Sequence, residues 1–154
     1  MQTKNNDMML SRGITGFWGV NTDVPPFLDE SAFRRMCHAL ARENGGAVTE
    51  VDTDTAIRNF YFAKLSRYDQ SVFVLQNIHY PYAAFAQRDV SGRFVLTQQP
   101  ECLQLPESPV RFLSLAELNQ SWRGLCGELG PVELEQIRYW SPQTVGEIIF
   151  NTWD

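Results

Sequence analysis

Residues that carry chemistry are scarce in this chain: among 154 residues there are only two histidines and three cysteines. The cysteines, Cys37, Cys102 and Cys126, lie far apart and form no CxxC pair, and any disulfide leaves one of them over. Such usage fits a reducing compartment, with Cys37 and Cys126 as small apolar residues on helical faces. No HExxH or paired CxxC is present, so no metal site is expected. Asp52-Thr53-Asp54 has the look of part of a calcium loop but lacks the glycine and terminal glutamate, and it reads as a polar hairpin turn. Gly13-Ile14-Thr15-Gly16 follows no apolar strand and has no lysine after it, which excludes a phosphate loop. No cofactor is expected.

Long apolar runs are missing too. Nothing approaches the roughly 20 residues of a membrane span, and residues 1–10 lack the apolar stretch of a signal peptide. The expectation is a cytoplasmic protein that does not engage a membrane, with residues 1–10 flexible and Met8, Met9 and Leu10 touching the core. Positive charge is also in deficit. Eighteen acidic against 13 basic residues give a formal charge of −5, which disfavours nucleic acid as a partner. Recognition of single strands would require Arg58, Lys64, Arg67, Arg88 and Arg93 to converge on one face.

Apolar and aromatic residues are plentiful, at 44% and 12%, enough for the core of one domain over residues 1–154. Asp29 caps a helix whose apolar positions Phe33, Met36, Cys37, Leu40 and Ala41 recur with helical period, Leu28 and Phe33 form a hydrophobic staple, and Gly45-Gly46 stops it. His38 falls outside the apolar stripe. The period then shortens: Ala47 to Asp52, Ile57 to Leu65 and Ser71 to Ile78 suit strands, as do Tyr82 to Gln87 and Arg93 to Thr97. Arg67-Tyr68-Asp69-Gln70 and Asp89-Val90-Ser91-Gly92 are turns, so neighbouring strands should run antiparallel. Val110 to Leu113 reads as a short extra strand.

Ser114 and Glu117 form a capping box for a helix carrying Leu118, Trp122, Leu125 and Cys126. Gly124, Gly127 and Gly130 either permit close helix-to-sheet approach or end this helix early. Pro131 opens another helix with Leu134 and Ile137 inward, and Ser141-Pro142 is read as the start of a last one that buries Val145, Ile148, Ile149 and Trp153. The fold class is α+β: an antiparallel sheet of about five strands, one N-terminal helix, and a cluster of C-terminal helices packed on one face.

Catalysis finds little support. His38 and His79 have no partner at a motif spacing, so no catalytic residue is assigned, and an enzyme would have to draw on Cys102 or His79. The main surface signal is acidic: Glu43, Glu50, Asp52 and Asp54 fall in twelve residues without lysine or arginine. They form either a solvated helix end and hairpin or a negative patch that docks on a basic partner. Tyr61, Tyr68, Tyr80 and Tyr82 lie near strand ends, as a sheet rim or a binding surface. Trp18, between glycines, is the tryptophan expected to be partly exposed.

Arg12-Gly13-Ile14-Thr15-Gly16-Phe17-Trp18, together with Tyr139-Trp140-Ser141-Pro142 and Gly146-Glu147-Ile148-Ile149-Phe150-Asn151-Thr152-Trp153-Asp154, resembles the two ends of a family of short bacterial cytosolic proteins. Small, acidic and without evident catalytic groups, the chain also looks like the immunity proteins paired with polymorphic or contact-dependent growth-inhibition toxins. That resemblance implies a cognate toxin C-terminal domain as partner and no catalysis. Another regulatory or scaffold-type binding module is the alternative. Binding residues do not carry over from it, since immunity families differ in where they bind.

Overall fold

The computed structural model describes residues 9–153. Helix α1 (Glu30–Glu43) is followed by β1 (Ala47–Asp52), β2 (Phe60–Arg67), β3 (Gln70–Asn77), β4 (Tyr82–Arg88), β5 (Phe94–Thr97) and β6 (Arg111–Phe112); then come α2 (Leu115–Leu118), α3 (Pro131–Trp140) and α4 (Val145–Ile149). Strands β1 to β5 form an antiparallel meander, as their short polar turns dictate. Strand β6 joins parallel to β4, pairing Tyr82 with Arg111 and Ala83 with Phe112. Because β3 occupies one edge of β4, β5 and β6 must share the other: β5 takes residues 85–88 and β6 residues 82–83.

Both faces of the sheet are covered, which explains why its central strands read as almost continuous apolar runs. On one face Tyr61, Ala63, Leu65, Val72, Val74 and Phe85 pack under Phe33, Cys37 and Leu40 of α1. On the other, Phe60, Phe62, Phe73, Leu75, Ala84 and Ala86 meet Ile14, Leu118, Ile137, Val145, Ile148 and Ile149. The α+β architecture is as expected, with the C-terminal helices on a single face.

Local signals hold where they rest on caps and short turns. Asp29 accepts Ser31 N–H at 3.0 Å to open α1. Tyr68 and Asp69 connect β2 to β3 as a two-residue turn, with Tyr68 at φ 56°. The 1–10 expectation falls for the most part outside the described residues, but Leu10 is fully buried and its N–H donates to Leu125 O at 3.0 Å. The chain is anchored from there onward.

Three boundaries differ from expectation. Strand β2 starts at Phe60 rather than Ile57, because Asp52 and Asp54 each turn the backbone by accepting the N–H two residues on, and Ile57 is left half exposed. Helix α2 has only four residues, since the chain leaves helical geometry after its cap at Asn119, five residues before Gly124. The helix ends early but does so ahead of all three glycines, and Trp122, Leu125 and Cys126 reach the core from irregular turns. Ser141-Pro142 does not start α4: Ser141 is the left-handed cap of α3, and Thr144 with Glu147 forms the box that opens α4. Pro142 instead offers its carbonyl to Trp122 Nε1 at 2.8 Å.

Candidate functional site

The segments at the two ends of the described chain meet at one end of the sheet, and three buried asparagines join them. Asn59 precedes β2 and Asn77 closes β3, and the pairing of Phe60 with Asn77 brings both to the same end of the sheet, where each reaches Ile14 O. Asn59 Nδ2 donates to Ile14 O and Ile148 O at 2.9 and 3.3 Å. Asn77 Nδ2 donates to Ile14 O and Ile149 O at 3.0 and 2.8 Å, while its Oδ1 accepts the N–H groups of His79 and Tyr80. Asn151 Nδ2 donates to Thr15 O and Ile148 O at 3.1 and 3.0 Å. Primary amides serve here because each offers two donors and an acceptor to backbone that no ladder reaches.

Glu133, on the first turn of α3, is 1% exposed. Its Oε1 accepts Gly13 N–H at 2.9 Å and Gly130 N–H at 3.1 Å, and its Oε2 accepts the Thr15 hydroxyl and N–H at 2.5 and 3.2 Å. Four donors converge on one carboxylate, as burial of such a group demands. Gly13 holds φ 90°, and a Cβ there would stand 2.6 Å from Pro25, so the Arg12–Trp18 turn admits only glycine at this point. The two end motifs therefore support one another, and their polar groups are committed to structure.

Beside this network lies a cleft of about 310 Å³ between Phe17, Trp18, Phe27, Arg58, His79 and Trp153. His79 is 2% exposed. Its Nδ1 stands 2.8 Å from the Pro26 carbonyl, which can only accept, so the proton sits on Nδ1. Among the described residues the Nε2 atom has no hydrogen-bond partner. Burial pushes the His79 pKa below 6.5, against the opposing pull of the Pro26 carbonyl and of the Glu133 charge. Neutral imidazole then leaves Nε2 as a bare acceptor.

Aromatic rings continue from the cleft onto the surface. Phe27 lies 4.6 Å and Trp18 5.8 Å from the His79 ring, and Phe17 is 6.4 Å from Trp153. Trp153 stacks on Trp140 at 6.3 Å and 3°, and Trp140 meets Tyr139 edge-on at 5.2 Å. Phe27 is 58% and Tyr139 78% exposed, with Trp140 at 39%. Trp18 is half-buried, matching its expected partial exposure.

The acidic residues singled out by sequence do not form one field. Glu43 is exposed on α1, the layer covering the opposite face from Phe62, whereas Asp52 pairs in register with Phe62 and Glu50 with Lys64. Glu50 is 3.4 Å from Arg88 and Asp52 3.3 Å from Arg58, so two of the four carboxylates are compensated by arginines outside the twelve-residue stretch. Asp54 is exposed and serves a turn. Of the five basic residues weighed for nucleic acid, Arg58, Lys64 and Arg88 lie over Phe60, Phe62, Phe73 and Phe94, where two of them are tied to carboxylates.

His38 is exposed on α1, as expected. Cys102 lines a different groove, of about 370 Å³, between α1 and the β2–β3 hairpin, so it and His79 belong to separate clefts. Among the described residues no three His, Cys, Asp or Glu side chains gather to hold a metal, and no helix is long and apolar enough to cross a membrane. Of the tyrosines, Tyr61 is buried with its hydroxyl donating to Leu28 O, Tyr80 donates to Arg12 O, and Tyr68 is 91% exposed. Sequence reasoning missed Asn59, Asn77, Glu133 and Asn151; the one local signal was an asparagine directly flanking each of two apolar strands. No family model, curated protein or solved structure matches this chain.

Proposed function

We propose that this chain is an immunity protein that binds and neutralises a cognate bacterial toxin domain in the cytoplasm, acting by contact and without catalysis of its own. The observation that supports the reading is the aromatic ridge from Phe27 and Trp18 through Phe17 and Trp153 to Trp140 and Tyr139, exposed in part and held on a hydrogen-bonded frame. Tryptophan and tyrosine on a rigid scaffold are the residues that dominate protein interfaces. They bury large area at low entropic cost, and contiguous exposed apolar surface of this kind marks interaction sites. A formal charge of −5 favours a basic partner overall.

The polar groups beneath the ridge argue in the same direction. Asn59, Asn77, Asn151 and Glu133 spend their capacity on backbone and on the Thr15 hydroxyl, leaving a stiff presenting surface rather than a reactive constellation. A preformed surface binds with little reorganisation.

The test is to express the C-terminal domain encoded by the adjacent upstream reading frame, alone and with this protein. Growth arrest by the domain, rescue by co-expression and copurification of the two chains are expected. Soluble protein that neither rescues nor copurifies removes the immunity reading; capture of a cellular protein through the same ridge would then favour a regulatory binding module. Within a complex, a Glu50→Ala, Asp52→Ala, Asp54→Ala triple variant with unchanged affinity would leave the ridge as the contact.

A further inference from the structure

We propose that the cleft beside His79 is the anchor pocket of this interface and receives one indole or phenol side chain of the partner, which donates its N–H or O–H to His79 Nε2. The inference rests on the binding reading above.

Three features select that occupant. The first is the orphan acceptor: Nε2 is buried and, among the described residues, without a partner, and the Nδ1 contact with the Pro26 carbonyl fixes the tautomer that leaves its lone pair free. A buried acceptor without a donor is a standing energetic cost that a donor-bearing ligand removes. The second is shape and lining. At about 310 Å³ the space lies at the low end for ligand pockets, the size for a single ring system, and its walls include Phe17, Trp18, Phe27 and Trp153.

Charge is the third. Arg58 lines the same cleft, with Nη1 held 2.6 Å from Asp54 O and 3.3 Å from Asp52 Oδ1. A lysine or arginine of the partner would enter against this guanidinium, whereas a neutral ring offers it a π face. The burial that keeps His79 neutral also favours an uncharged donor.

In the free protein His79 Nε2 itself is screened from solvent. Trp18 and Phe27 are the rings nearest His79, and entry of a partner ring displaces Trp18, which sits in the segment between Gly16 and Gly19. The cleft is continuous with the ridge through Phe17 and Trp153, so an anchored ring would bring its own chain across Trp140. A buried anchor ringed by exposed aromatics is how interfaces concentrate their affinity.

The test is an NMR titration of the intact protein, ¹⁵N-labelled at histidine and tryptophan, with indole, 1-methylindole and methylguanidinium as probes. Indole is expected to move the His79 Nε2 and Trp18 Nε1 resonances saturably, with a dissociation constant on the order of millimolar as suits a fragment. 1-Methylindole, which keeps the ring and lacks the donor, is expected to bind at least about tenfold more weakly. Copurified toxin domain should move the same two resonances.

No saturable shift at His79, equal binding of 1-methylindole, or preference for methylguanidinium would overturn the assignment. A complex that copurifies while His79 stays unmoved overturns the anchor and leaves the binding reading standing. Indole binding in a protein that neutralises and captures no protein partner overturns the partner's side chain as source and makes the cleft a site for a free small heteroaromatic compound.

Discussion

Asn59 and Asn151 form a reciprocal pair across 92 residues of chain: Asn59 Oδ1 accepts Asn151 N–H at 2.7 Å, and Asn59 N–H donates to Asn151 O at 3.2 Å. The pairing resembles one rung of a ladder, built by a side chain and a backbone where no strand exists. It ties the end of α4 to the edge of β2 and so positions Trp153 beside Phe17.

Asn151→Ala removes two donors to Thr15 O and Ile148 O in a buried setting and is expected to cost about 2–4 kcal/mol. Asn151→Asp keeps the shape but turns an oxygen toward those carbonyls, and should cost more. Urea unfolding checks both, and a change within about 0.5 kcal/mol for either would show the network to be idle.

Glu133→Gln is a sharper probe than truncation. The amide presents an NH₂ to N–H or O–H groups that now meet a carboxylate oxygen, so at least one pair among Gly13, Gly130 and Thr15 loses its acceptor. Destabilisation of about 2–3 kcal/mol is expected, with loosening of the Arg12–Trp18 turn visible as faster amide exchange at Gly13 and Thr15. Unchanged exchange at these amides would contradict the arrangement.

Stability should depend on pH through His79. Its folded pKa lies below 6.5, so the unfolded chain binds the proton more readily. The neutral imidazole carries no penalty above about pH 6.5, and stability is lost as pH falls through that value toward the folded pKa. Comparing unfolding free energies of the protein and a His79→Phe variant between pH 7.5 and the folded midpoint isolates this contribution. A His79 ring that titrates above 6.5 by NMR would refute it.

The three thiols should differ widely in reactivity. Burial raises the Cys37 pKa to about 12, leaving almost no thiolate at neutral pH, whereas Cys102 is exposed and Cys126 half-buried. A disulfide reagent should modify Cys102 first, Cys126 more slowly, and Cys37 only on unfolding. Early labelling of Cys37 would mean that α1 opens independently of the sheet.

Tyr139→Ala and Trp140→Ala should weaken partner binding by tenfold or more, about 1.4 kcal/mol or greater, while moving stability by less than about 1 kcal/mol. Trp18→Ala should follow the same pattern, with a larger loss of binding. Isothermal titration beside thermal unfolding separates the two effects, and a large stability loss with intact binding would return Trp18 to the core.

The period and punctuation of the chain were enough to read α1, the meander and the capping boxes, because these depend on neighbours within a few residues. The buried polar frame was not readable, since nothing local tells an asparagine before Phe60 that its partner is Asn151. The setting of the acidic residues was hidden for a related reason: Glu50 is paired with Arg88, 38 residues away, a contact that the arrangement of the sheet creates. The glycines around position 124 read as part of a helix that in fact ends at Leu118, before any of them.

The parallel attachment of β6 and the asparagine frame set an order on the growing polypeptide. Hairpins within residues 60–97 need only near neighbours and can close early, whereas the frame awaits Asn151, which reaches back to Thr15. A nascent chain that has emerged only through β5 has the strands to pair and no cleft to offer. The fixing of Trp153 and Trp140 thus waits until well after the last strand has been made, and a chain stopped just before residue 151 would carry every residue of the sheet and lack the clasp that gives these aromatics a fixed place.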